Sequence, residues 1–233
     1  MEPERFKVDL RGVVDLLSTA IYSSPRVYLR ELIQNAADAI TARSLLDPSW
    51  HTAGMVITPA GVAGPQLRIR DDGIGLTAHE VADALATVGG SLKRDALGLP
   101  ATGMLGRFGI GLLSALMVSD EIVLQTRSAR GGPAVEWIGR SDGTYVLREL
   151  TDDLPIGTQI TLITRADDAN LVGPRAVHEL ATQYAAYLPV PIHIADVQGL
   201  TTITQDPAFL SADPATLIDI CTEILGVRLF GAI

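Results

Sequence analysis

The chain has 233 residues, 47% of them apolar, and a formal net charge of −9. Such a chain can bury one large core without covalent staples. Its acidic balance argues against a nucleic-acid or anionic-membrane surface, since those partners select clustered Lys and Arg. Phosphate ligands stay open, because local backbone N–H groups bind anions whatever the global charge. Cys221, the single cysteine, excludes an intrachain disulfide and a multi-cysteine zinc site. The charged opening MEPERFK is no secretory signal, and the longest apolar run, residues 110–118, is too short for a membrane span. A soluble, cytoplasmic protein is expected.

In chain order, residues 6–10 suit a short edge strand, and Val13, Leu16, Leu17, Ala20 and Ile21 recur at helical spacing over 12–23. Ser24-Pro25 restarts the chain as N-cap and first helical residue of a second helix reaching about Leu45. A Gly- and Pro-rich loop spans 54–65, and an alternating strand follows over 67–71, broken by Asp72-Gly73. Thr77 with Glu80 forms a capping box for a helix to about Val88. Residues 89–106 are polar and glycine-punctuated and predict a mobile loop, followed by an apolar helix over 110–118.

Strands are expected over 121–127, 134–139, 144–150 and 158–164, then a helix over 174–187 and a strand over 192–195. The predicted fold class is α+β, a two-layer sandwich with helices on one face of a mixed, mostly antiparallel sheet. Residues 1–200 form the main domain, and 201–233 are expected to be a linker and the truncated start of a second domain. Residues 215–225 read as a lone helix there.

Three elements carry candidate chemistry. On the second helix, Asn35 and Asp38 fall within about 40° of Glu31, opposite Leu32, Ile33, Ala36, Ala37 and Ile40. That stripe is either a solvated helix face or the lining of a site. In a site, Glu31 can activate a water, and the Asn35 carbonyl oxygen suits a hard cation such as Mg²⁺.

Next, alternation puts Asp71 on the apolar face with Leu67 and Ile69. Either Asp71-Asp72-Gly73 is a plain turn, or the inward carboxylate receives donors from a base with an exocyclic amino group. Gly73 and Gly75 permit a tight turn and close approach of a flat ring. The third element, Gly103 to Gly111, opens into an apolar helix whose N-terminal amides can converge on phosphate oxygens. A weaker fourth signal, Pro155 to Ile160, is a turn into a strand that begins with the Thr158 hydroxyl.

The order Glu31-Leu-Ile-Gln-Asn35-Ala-Ala-Asp38-Ala39, Asp71-Asp-Gly73-Ile-Gly75-Leu76, Gly106-Arg-Phe-Gly109-Ile-Gly111 and Gly157-Thr158 resembles the GHKL ATPases. That group shares the Bergerat nucleotide fold with gyrase-type topoisomerases, MutL-type repair proteins and sensor histidine kinases. Within it, residues 6–39, Ser114-Ala115 and Trp137 resemble the ninety-kilodalton heat-shock chaperones of HtpG type, a similarity over roughly the first 195 residues. The chain's end, 225–233, resembles the entry to that family's middle domain.

The resemblance implies bound ATP or ADP with Mg²⁺. It implies that Asp71 takes the adenine amino group, Thr158 helps through ordered water, and Gly75 lies against the base. Asn35 is implied to hold Mg²⁺ with phosphate oxygens, and Glu31 to be the catalytic base. Gly106, Phe108, Gly109, Ile110 and Gly111 are implied to serve the phosphates, and Asp38, Ala39 and Leu76 the base and sugar region. Residues 89–106 correspond to a lid that closes over ATP.

Two departures from the family are visible: the segment corresponding to the lid is shorter than usual, and two site residues differ. Ala84 and Gly90 stand where the family usually carries an Asn at the nucleotide and a Lys near the phosphates, with Ser91, Lys93 and Arg94 close by in sequence. The implied partners are unfolded client proteins and, in the full-length protein, a second copy of the chain. No nucleic acid or membrane partner is expected. Competing classes are a nucleotide-gated interaction module with little hydrolysis, a DNA-acting ATPase, and a sensor kinase. The preserved Glu31 speaks against the first, the lack of a basic cluster against the second, and the lack of a dimerisation helix bearing a phosphoacceptor His against the third.

Overall fold

The structure is a computed structural model that describes residues 4–5, 24–85, 111–205, 215–216 and 218. Nine strands among these residues form one sheet: β1 (Glu4–Arg5), β2 (Met55–Thr58), β3 (Leu67–Asp71), β4 (Ser119–Arg127), β5 (Val135–Arg140), β6 (Thr144–Glu149), β7 (Gly157–Thr164), β8 (Ile192–Ala195) and β9 (Leu200–Thr202). Their order is β1-β6-β5-β4-β7-β3-β2-β8-β9. All neighbours are antiparallel except β2 and β8. The helices among the described residues are α1 (Val27–Leu46), α2 (Ala78–Leu85), the short α3 (Ala169–Val172) and α4 (Pro174–Ala185), with 3-10 helices at Leu112–Met117 and Ala166–Asp168. The result is the expected α+β sandwich.

Alternation decides which sheet face is buried. Ile57, Ile69, Ile160, Leu124 and Trp137 are matched across five neighbouring strands and all are buried. They meet the apolar side of α1, where Leu32, Ile33, Ala36, Ala37 and Ile40 are buried as the sequence pattern requires. Helix α1 packs on β3, the first 3-10 helix and α4, and the Tyr28 hydroxyl donates to the Leu171 carbonyl at 3.0 Å.

Several elements differ from expectation. Helix α1 begins at Val27, because Ser24–Arg26 forms a turn in which Ser24 O and Pro25 O accept from the amides of Val27 and Tyr28. Pro25 therefore precedes the helix. The segment expected to be loop over 54–65 contains β2, whose Met55 and Ile57 are fully buried between β3 and β8. Its entry needs Gly54 (φ +90°), where a Cβ would stand 2.2 Å from the Pro191 carbonyl oxygen.

The apolar helix expected over 110–118 is a six-residue 3-10 turn, with Ser114 N and Val118 N bonded three residues back. Strand β9 is an addition, and Ile203 N and Gln205 N continue the bonding to Ile192 O and Ala186 O. The elements expected over 6–10, 12–23 and 89–106 lie outside the described residues, as does most of the helix expected over 215–225.

Candidate functional site

Strand β3 delivers Asp71 to the buried face, 6% exposed, as alternation from Leu67 and Ile69 predicts. Its Oδ1 accepts the Gly73 amide at 2.9 Å. Burial pushes the carboxyl up to about 7, against the pull of that amide and with a further push from the neighbouring Asp72 charge. Asp72 points the other way and accepts from Thr52 Oγ1 at 2.7 Å and Ala53 N at 2.6 Å.

After β3 the chain docks against α1 and the sheet. Ile74 N donates to the Ala39 carbonyl at 2.9 Å, and a Cβ on Gly73 would meet Ala39 at 2.6 Å, so only glycine lets the turn sit against the helix. Gly75 has φ +62°, and a Cβ there would stand 1.9 Å from the Arg127 carbonyl oxygen. The following residue, the half-buried Leu76, gives its amide to Thr126 Oγ1 at 2.9 Å.

Thr158 and Asp71 are register partners between β7 and β3, and Thr126 and Thr158 between β4 and β7. Directly paired residues of an antiparallel ladder share one face. Asp71, Thr158 and Thr126 therefore form a row of oxygen-bearing side chains on the face that α1 covers.

On α1, Glu31, Asn35, Asp38 and Ala39 are half-buried. Arg30 donates to Glu31 Oε1 at 2.8 Å. Gly111, at the start of the 3-10 helix, faces the other oxygen: a Cβ there would lie 3.0 Å from Glu31 Oε2 and 3.5 Å from Asn35 Nδ2. Two clusters thus meet along α1, one of Glu31, Asn35 and Gly111, the other of Ala39, Asp71, Gly75, Leu76 and Thr158. Asn35 and Ala39 are about one helical turn apart. Gly106, Phe108, Gly109, Ile110 and Gly90 lie outside the described residues, as does the Ala84 side chain.

No protein-family model matches the chain. It is 31% identical over 225 residues to the chaperone protein HtpG of Mycobacterium tuberculosis (strain ATCC 25618 / H37Rv), a match to 88% of this chain and 34% of that protein. HtpG of Helicobacter acinonychis (strain Sheeba) is 29% identical over 201 residues, 81% of this chain and 32% of the relative. HtpG of Anaplasma phagocytophilum (strain HZ) is 27% identical over 213 residues, 85% and 33% respectively. This chain is a homologue of the HtpG chaperones. It spans about a third of the length of the curated relatives it matches.

Two residues of this HtpG homologue have a place in the site that sequence reasoning missed. Arg30 holds one Glu31 oxygen and so limits how the carboxylate can turn. Thr126, 1% exposed, joins the Leu76 amide, the Gly157 carbonyl and the Thr158 hydroxyl. Alternation alone could have placed Thr126 inward; its partners depend on strand register. Among the described residues no group of three or more His, Cys, Asp or Glu could hold a metal ion. A side-chain amide oxygen such as that of Asn35 could hold a magnesium ion whose coordination is completed by phosphate and water, the usual way that ion is held. No candidate membrane-spanning helix occurs among the described residues.

Proposed function

We propose that this domain binds Mg-ATP between α1 and the Asp71 turn, and hydrolyses it as the nucleotide-dependent part of an HtpG-like chaperone. The observation that carries the reading is the buried Asp71 carboxylate beside Thr158, its turn docked on Ala39 of α1, with Asn35 about one and Glu31 about two helical turns further along that helix. An inward carboxylate held only by backbone amides remains costly to ionise, and an exocyclic amino group supplies a further donor that offsets the cost. Asp71 then fixes the base. Gly111 and the preceding glycine-rich segment present backbone N–H groups to the phosphates.

Mg²⁺, held by the Asn35 oxygen together with phosphate oxygens, supplies charge neutralisation. Glu31 orients and deprotonates the attacking water through its Oε2, while Arg30 retains Oε1. Closure of residues 89–106 over ATP, association of two N-domains, and assistance to unfolded clients in the cytoplasm belong to the same reading. The similarity to HtpG chaperones supports it. The phosphoryl transition state also needs cationic stabilisation, which part of the protein beyond this chain would supply, so hydrolysis by the chain alone is slow.

Calorimetric titration with ADP and ATP tests the proposal on wild type, Asp71→Asn and Glu31→Ala. Asp71→Asn should abolish binding. Glu31→Ala should bind normally yet lose hydrolysis in a longer protein. Full affinity in the folded Asp71→Asn variant would refute the base pocket.

A further inference from the structure

The hydroxyl of Thr126 has one proton and three partners. Its bond to the Gly157 carbonyl, 3.0 Å, can only be donated by Thr126. The Leu76 amide, 2.9 Å away, occupies one lone pair of the same oxygen. The remaining contact, 3.0 Å to Thr158 Oγ1, must then be donated by Thr158. Thr158 has no second proton, so every other direction around its oxygen offers lone pairs only. Its paired neighbour on the same face, Asp71, offers a carboxylate whose Oδ1 already accepts from Gly73.

We propose that Thr126 is a positioning residue that consumes the Thr158 proton, so that Thr158 and Asp71 form an edge of acceptors selecting a base with an exocyclic amino group over one with a carbonyl. This rests on the nucleotide reading above and deepens it. A carbonyl placed against that edge would face lone pairs with no donor, and buried mismatches of this kind are where polar specificity is large. The Gly157 turn fixes the arrangement from the other side. Gly157 has φ +125°, and a Cβ there would stand 2.2 Å from the Asp71 carbonyl oxygen, so the acceptor of the Thr126 proton is held by backbone contact.

The test compares ADP with inosine diphosphate, which exchanges the amino group for a carbonyl, by calorimetry on the 233-residue chain at a pH well above 7, where the Asp71 carboxyl is ionised and accepts only. Wild type should prefer ADP strongly. Thr126→Val keeps the shape but frees the Thr158 proton to donate, and should cut the ratio of the two dissociation constants about tenfold. Thr126→Ser, which restores the hydroxyl, should return the ratio to the wild-type value. A folded Thr126→Val protein with an unchanged ratio overturns the proposal.

Should Thr126→Val fail to fold, Thr158→Val decides. Loss of the hydroxyl itself must also lower the ratio, and an unchanged ratio there overturns the proposal as well. Asp71→Asn measured alongside separates the two layers. Undiminished ADP binding in that variant defeats the base pocket itself, whereas lost binding with an unchanged Thr126→Val ratio defeats only the role of Thr126.

Discussion

Gly111 stands directly against Glu31: a methyl group on its Cα would lie 3.0 Å from the carboxylate oxygen that Arg30 leaves free. The backbone at Gly111 is ordinary right-handed helix (φ −58°, ψ −44°), so glycine is not required there for conformation. What its missing side chain provides is room beside Glu31 and Asn35. Alanine needs the Glu31 tip to give by a few tenths of an ångström, which a flexible side chain can do. Valine cannot be seated without displacing Glu31 or Asn35. We therefore expect Gly111→Ala to bind ADP within about threefold of wild type and Gly111→Val to lose about tenfold or more, with little change in unfolding midpoint. Calorimetry and thermal unfolding on the same preparations check this; equal affinities for the two variants would contradict it.

The Asp71 carboxyl makes the site a liability for stability, with a sign that can be worked out. Its value rises from 3.8 to about 7 on folding. Below 3.8 the group is protonated in both states and costs nothing. As pH climbs towards 7 the unfolded chain ionises first, and stability is lost by up to about 1.4 kcal/mol per pH unit. Asp71→Asn imitates the neutral form at every pH. The variant should match wild type near pH 4 and become progressively more stable than it towards pH 7, while losing nucleotide. Urea unfolding across that range measures the difference, and parallel pH curves would show that Asp71 is not buried as described.

How much of this was legible beforehand depends on how local each signal is. Strand β3 alternates cleanly, and its inward Asp71 follows from the pattern alone. The Thr77–Glu80 capping box is a four-residue device, and both of its reciprocal bonds are present, at 3.3 and 2.8 Å. The polar stripe of α1 was visible for the same reason. Strand β2 was missed because its four residues sit inside a Gly- and Pro-rich stretch that reads as loop, and β9 because three residues are too few for a period to show; pairing with β3 and β8 sustains the first and pairing with β8 the second. The partners of Thr126 and the approach of Gly111 to Glu31 are non-local. They follow from β4–β7 register and from packing of the 3-10 helix on α1, and no spacing in the sequence encodes them.

Two glycines with left-handed backbone separate strain from collision. Gly75 (φ +62°) has the Arg127 carbonyl 1.9 Å from where a Cβ would be; Gly61 (φ +93°) has nothing within 4 Å. Alanine at 61 should cost only backbone strain, about 1 kcal/mol. Alanine at 75 adds a clash with backbone that cannot rotate away, and should cost at least about 3 kcal/mol. It should also disturb the Leu76 amide bond to Thr126. Denaturant midpoints of the two variants give the comparison, and equal losses would mean that the turn can move off β4.

Arg165 holds the 3-10 helix at the end opposite Gly111. Its Nη1 donates to the carbonyls of Leu116 and Ser119, each at 3.1 Å, its Nη2 to that of Met117, and its Nε to Asp168 at 2.9 Å. The carbonyls at the end of a short helix lack partners within it, and here one guanidinium serves them together. A lysine ammonium keeps the charge but cannot span that fan of acceptors from one planar group. Arg165→Lys should therefore cost about 2 kcal/mol in urea unfolding. Because the six-residue turn is all that separates this anchor from Gly111, it should also weaken ADP binding severalfold. A stability loss without a change in affinity would show that the Gly111 end is fixed by α1 alone; wild-type stability would show that the carbonyls are served equally well by water.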